Sequence, residues 1–232
     1  MRRPSVSIVT FSLASVASFG APFGVSPGAS GGTPFSVFQP PVSGSAIASQ
    51  DFTNQPAYSS ACLDDFTITA PVTLATLQIF GLEESGDGAA LNLDVRAWIL
   101  SSPSLNAVPV ASLHGQQVGE DLLFNLEGLS LEAGTYWIAA QVVRPFVPSQ
   151  QWLWAVSDTT NGAEAMFHNP GGGFGLGTAP IPVSTFDSGM YDMAFRLEAV
   201  PAPGVLAALA LAGLAPCRRR RLTTGTGPTP RG

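Results

Sequence analysis

The sequence predicts an all-β fold, an antiparallel β-sandwich of jelly-roll-like form, and three observations carry that expectation. Short runs with β-branched enrichment or strict alternation recur along the middle of the chain. Turn signals separate them, and no long helical period interrupts them. Composition points the same way: 25 glycines and 20 prolines in 232 residues, only 11% charged residues and no lysine at all. Long surface helices normally carry Lys and Glu, so such a chain favours strands joined by turns.

The expected strands cover residues 61–69, 72–80, 91–100, 122–126, 135–143, 151–156 and 190–198. Between them stand Glu84-Ser85-Gly86-Asp87-Gly88, Ser102-Pro103, Glu127-Gly128, Arg144-Pro145 and Asn161-Gly162. The clearest strand sets Leu93, Val95, Ala97 and Ile99 on one face against Asp94, Arg96 and Trp98 on the other. That period of two fits a strand buried on one side only. The folded domain is expected over 46–199, preceded by a Gly/Pro/Ser-rich lead-in over 18–45.

Charge narrows the partners. All ten cationic residues are arginine, and seven of them lie near the ends. The middle keeps Arg96, Arg144 and Arg196 against all sixteen carboxylates, a formal charge of −13. Binding to nucleic acid needs a basic face to neutralise phosphates, so it is excluded as an expectation. A neutral glycan or a divalent cation is compatible with this charge. Cys62 is the only cysteine of the middle, with Cys217 near the C terminus, so no disulfide forms within the domain. Between Ala61 and Leu63, Cys62 reads as a small buried apolar residue.

Candidate chemistry is sparse. His114 and His168 are the only histidines, and no Gly-x-Ser-x-Gly elbow surrounds a serine. No catalytic residue is assigned, His168 is placed in a loop beside Asn169-Pro170, and an enzyme is not expected. Cys62 has no neighbouring cysteine for a zinc-type site. Asp64 and Asp65 are the candidate calcium ligands; adjacent on a strand, they point to opposite faces. Either could instead pair with Arg196. Glu83, Glu84 and Asp87 cluster in a turn without the alternating spacing of an EF-hand loop. Trp152 and Trp154 flank Leu153 and share one side of a strand, so they are the candidate ligand-binding pair: indoles on a sheet face stack on sugar rings. Filling of the core is the competing role for both. The loop from Gly171 to Gly175 reads as a rim or a long connection.

The two ends read as targeting segments. Met1-Arg2-Arg3 and the apolar stretch from Val6 to Val16 form a signal peptide over 1–17, with cleavage expected after Ala17. At the other end Pro201-Ala202-Pro203 breaks the backbone, Gly204 to Ala215 is apolar, and Arg218, Arg219, Arg220 and Arg221 follow. Twelve residues as a helix span about 18 Å, short of a hydrocarbon core of roughly 30 Å. A transient membrane segment therefore fits better than a permanent anchor. The arginines hold the C terminus in the cytoplasm and leave the domain outside.

This order of proline-rich break, short apolar helix and arginine cluster, over 200–221, resembles the PEP-CTERM sorting signal of bacterial surface proteins. Ala202 stands where that family carries Glu, and residues 222–232 form a further tail. The resemblance implies recognition by an exosortase-type membrane protease-transpeptidase, a transient stay at the inner membrane, and release or attachment at the cell surface or in extracellular polysaccharide. The middle is similar to an ectodomain of such proteins of unassigned role. That likeness rests on Asp64-Asp65-Phe66, Ala133-Gly134-Thr135-Tyr136-Trp137, Asn169-Pro170-Gly171-Gly172-Gly173-Phe174 and Asp192-Met193-Ala194-Phe195-Arg196-Leu197. An exported surface or matrix protein is the expected function. A carbohydrate-binding module for extracellular polysaccharide is the alternative, and a secreted hydrolase a third.

Overall fold

The computed structural model describes residues 35–84, 94–126, 128–148 and 150–200. The signal peptide and the sorting-type tail lie outside these residues. Ser36–Gln39 (β1), Ala46–Ala48 (β2), Gln50–Phe52 (β3), Ala61–Ile68 (β4), Val72–Ile79 (β5) and Gly81–Glu83 (β6) form the first half. Asp94–Leu100 (β7), Ala111–Val118 (β8), Asp121–Asn125 (β9), Ser130–Leu131 (β10) and Gly134–Arg144 (β11) follow. Trp152–Ser157 (β12), Met166–His168 (β13), Ile181–Pro182 (β14), Asp192–Met193 (β15) and Phe195–Ala199 (β16) complete the chain of strands. The fold is all-β. Among the described residues the only helices are single 3-10 turns at Pro56–Tyr58 and Val183–Thr185. No helix there is long and apolar enough to cross a membrane.

One large antiparallel sheet runs β1-β16-β5-β9-β8-β7-β11-β4-β13-β14, with β10 added to β5. It curls into a half-barrel. The short β3 joins β11 in parallel, through Val142 opposite Gln50 and Arg144 opposite Phe52. A second, four-stranded sheet gathers β15, β2 and β6 around β12. The curl has a local cause in β8. Its residues up to Gly115 pair with β7, whereas Gln116 to Val118 pair with β9. A Cβ at Gly115 would lie 2.6 Å from both the Leu123 carbonyl oxygen and the Phe124 ring. Only glycine lets the strand cross that closely.

Alternation sorts the side chains as the sequence predicts for β7: Val95, Ala97 and Ile99 are buried, and Asp94, Arg96 and Trp98 face outward. Inward residues from both halves of the curled sheet, among them Leu77, Ile79, Phe124, Ile138 and Leu197, form one core. β12 lies across this core with all six residues buried.

Several features depart from the sequence reading, among them the strands over 46–52 and the break at Ala194 of the strand expected over 190–198. The Gly/Pro/Ser-rich stretch over 18–45 contains an edge strand, β1, whose Phe38 sits opposite Arg196 of β16. The region 111–118, assigned no strand, is the eight-residue β8. His168, expected in a loop, ends strand β13 and is fully buried. Residues 85–93, with Asp87 and the start of the strand expected over 91–100, lie outside the described residues.

Candidate functional site

β4 carries Asp64 and Asp65 into the body, where they are 0% and 2% exposed. Asp64 shares its face with Cys62 and Phe66 and meets N–H groups from three directions. Its Oδ2 accepts from Gln39 Nε2 of β1 and from the Met193 backbone of β15, both at 2.7 Å. Its Oδ1 accepts the Asp65 N–H at 2.8 Å. Burial and the neighbouring Asp192 carboxylate push the Asp64 pKa well above the usual carboxylate range, against the lowering effect of these donors.

Asp65 faces the other way, as adjacent residues of a strand must. Its Oδ1 accepts the Ala163 N–H at 2.7 Å, and burial raises its pKa. Gly162 passes directly over it with φ 88°, and a Cβ there would lie 2.4 Å from Asp65 Oδ2. Both the left-handed backbone and this contact call for glycine. Asp192, 2% exposed, accepts the Asn161 N–H at 2.6 Å. Burial, with the Asp65 and Glu164 carboxylates adding to it, raises its pKa to about 6.

The three carboxylates therefore tie β1, β15 and the segment 161–163 onto β4. Arg196 is no partner of theirs: its guanidinium lies over the Phe38 ring, 4.5 Å from the centroid. Among the described residues no group of three or more His, Cys, Asp or Glu side chains is set to hold a metal ion. The Asp64 oxygens that the sequence offered to calcium are engaged by backbone and amide N–H groups.

Trp152 and Trp154 share one side of β12, as expected, but that side is the core. Both are 0% exposed, with indole N–H groups donating to the carbonyls of Glu120 and Ala194 at 2.7 and 2.8 Å. A fully buried indole offers no face to a sugar. Cys62 is likewise fully buried, and burial, followed by the Asp64 charge, drives its thiol pKa up, so it packs as an apolar residue.

His168 has a positioning role in the loop it touches. Its Nδ1 accepts the Leu105 N–H at 3.0 Å, and its Nε2 donates to the Thr178 carbonyl at 3.1 Å. Burial lowers its pKa, which favours this neutral tautomer. His114 is 78% exposed on β8, 3.5 Å from Asp94 Oδ1. The glycine-rich connection packs against the 3-10 turn at Pro56–Tyr58: the Gly173 N–H donates to Ala57 O at 2.9 Å, where Asn169 Nδ2 donates as well. Glu83 lies in β6 and forms a buried ion pair with Arg144 at 3.1 Å, and Gln50 Oε1 accepts from Arg144 Nε at 2.6 Å.

Among the described residues, two concavities stand out on the outer face of the large sheet. One, of about 720 Å³, spreads over β16, β5, β9 and β8 beside Gln78, Gln116, Arg196 and Glu198. The other, of about 300 Å³, lies beside Trp98 on β7, under the connection from β7 to β8. The sequence places Trp98 on the outer, polar face of its strand, and that alternation is the signal that finds this second cleft. Compared with known families and with curated proteins, the chain matches neither a family model nor a curated protein.

Proposed function

We propose that this chain is an exported bacterial surface or extracellular-matrix protein, sorted by a PEP-CTERM-like tail through an exosortase-type enzyme. Its body is read as a jelly-roll-like β-sandwich that works by display or binding. The order of Pro201-Ala202-Pro203, an apolar run and Arg218 to Arg221 carries this reading. The position of that order relative to the body supports it. β16 is held between β1 and β5, and the Val200 N–H donates to the Thr73 carbonyl at 2.9 Å. The proline break begins at the next residue, so a cut at 201–203 removes no strand of the described residues. His168 is no free base, since its two ring nitrogens are committed to backbone groups.

Deletion of residues 201–221 from the full chain, followed by cell fractionation, tests the sorting role. The shortened chain is expected in the soluble exported fraction, with the wild type at the membrane or surface. Unchanged surface localisation of the shortened chain overturns it.

A further inference from the structure

Trp98 is the one tryptophan that is not buried: Trp137, Trp152 and Trp154 are 9%, 0% and 0% exposed. It lines the cleft of about 300 Å³, together with Asp51, Arg96, Leu105, Pro109 and Gln141. Cross-strand register builds this cleft. Arg96 and Gln141 stand opposite each other on β7 and β11, and on the next outward rung Trp98 faces Ala139. The indole packs on a buried set that includes Leu100, Trp137 and Ala139, and stays half-buried rather than closed over.

The far wall is the connection from β7 to β8, and it is fixed. The Val110 N–H donates to Ile99 O at 2.8 Å, the Ala107 N–H to Ser104 O at 3.0 Å, and the Leu105 N–H to His168. The polar wall offers both senses of hydrogen bond. Arg96 Nη1 lies 3.7 Å from Asp51 Oδ2, while Asp51 Oδ1 is already engaged by the Ser59 hydroxyl at 2.9 Å. Gln141 Nε2 donates to Ser60 O at 2.9 Å, which leaves the amide oxygen as an acceptor.

We propose that this cleft binds one ring of a neutral saccharide, stacked on Trp98, with hydroxyls read by Arg96, Asp51 and Gln141. An aromatic wall with a few convergent polar groups is the general form of a small-ligand site, and about 300 Å³ is its lower size limit. Sugar hydroxyls both donate and accept, which matches a guanidinium beside a carboxylate and an amide oxygen. Arg96 is balanced by Asp51 and Asp94, and the body carries −13, so an acidic sugar is disfavoured. The larger hollow has no exposed Phe, Tyr or Trp in its lining, where Phe124 is 2% exposed, and serves as the comparison site. This inference goes beyond the sorting reading and does not depend on it, since binding is read in vitro and localisation in cells.

The test titrates the purified full-length chain with cello- and manno-oligosaccharides, and with oligoguluronate as the acidic probe, by calorimetry and tryptophan emission. A neutral probe is expected to bind with a change in emission, and oligoguluronate at least tenfold more weakly. Trp98→Ala is expected to lose at least tenfold in affinity, Trp98→Phe to keep most of it, and Arg196→Ala in the larger hollow to leave it unchanged. Gln141→Ala supplies a second variant of the cleft should Trp98→Ala fail to fold. No binding of either neutral probe by the wild type overturns the proposal. So does binding that survives Trp98→Ala, or that is lost in Arg196→Ala.

Discussion

Acidification from pH 7.5 to pH 5 is expected to raise the melting temperature of this protein, the reverse of ordinary acid destabilisation. Asp64, Asp65 and Asp192 are buried, and the pKa of each is raised in the folded state. A carboxylate with a raised folded pKa binds its proton more tightly in the native than in the unfolded chain. Its stabilising contribution is fully present below the unfolded value and is lost as pH rises through the folded one. For Asp192 that window runs from 3.8 to about 6. The whole shift corresponds to at most about 3 kcal/mol, of which the step from pH 7.5 to pH 5 realises about 1.4 kcal/mol, or about 3 to 5 °C for a domain of this length. Asp64 and Asp65 add in the same direction. The exposed Asp94, whose pKa is lowered chiefly by its hydrogen bond from Arg96, opposes them only at lower pH. Asp192→Asn keeps an acceptor for the Asn161 N–H and removes the titration. It should be more stable than wild type at pH 7.5 and show a flatter profile. Scanning calorimetry across this range checks both. A wild-type melting temperature that falls between pH 7 and pH 5 contradicts the expectation.

Trp154→Ala is expected to cost about 3–5 kcal/mol, the range found for large aromatic truncations in a core. The indole is fully buried, and its loss also removes the shorter of the two hydrogen bonds to the Ala194 carbonyl, leaving the one from the Phe80 N–H. Equilibrium unfolding in urea should show the drop as a lower midpoint with a similar slope. A cost below about 1 kcal/mol would place the indole at the surface and return the stacking role to the Trp152 and Trp154 pair.

These indoles show where sequence pattern stops short. The alternation in β12 puts Trp152 and Trp154 on one side, but Leu153, Ala155 and Ser157 between and after them are buried too. With no polar face in the strand, period two says which residues share a side and not which side meets solvent. β7 is the opposite case, because Asp94 and Arg96 mark its wet face and so mark Trp98 as well. β8 carries little pattern in the sequence because its inward positions are Ala111, Leu113, Gly115 and Gln117, a weak apolar set suited to a strand that bends from one neighbour to another. β1 lies within a glycine- and proline-rich stretch, where an edge strand of four residues carries little pattern. The all-β class was legible because it needs only many short runs and turns. The fate of Asp64 and Asp65 was not, since their partners come from residues 39, 163 and 193, far away along the chain.

The central claim is export followed by sorting at the C-terminal tail. Intact-mass measurement of the chain recovered from the cell surface or medium tests it most directly. The account predicts a protein that begins after Ala17 and ends near Pro201-Ala202-Pro203, with the apolar run and the four arginines removed. A chain found only in the cytosol, still bearing Met1 and running to Gly232, contradicts it.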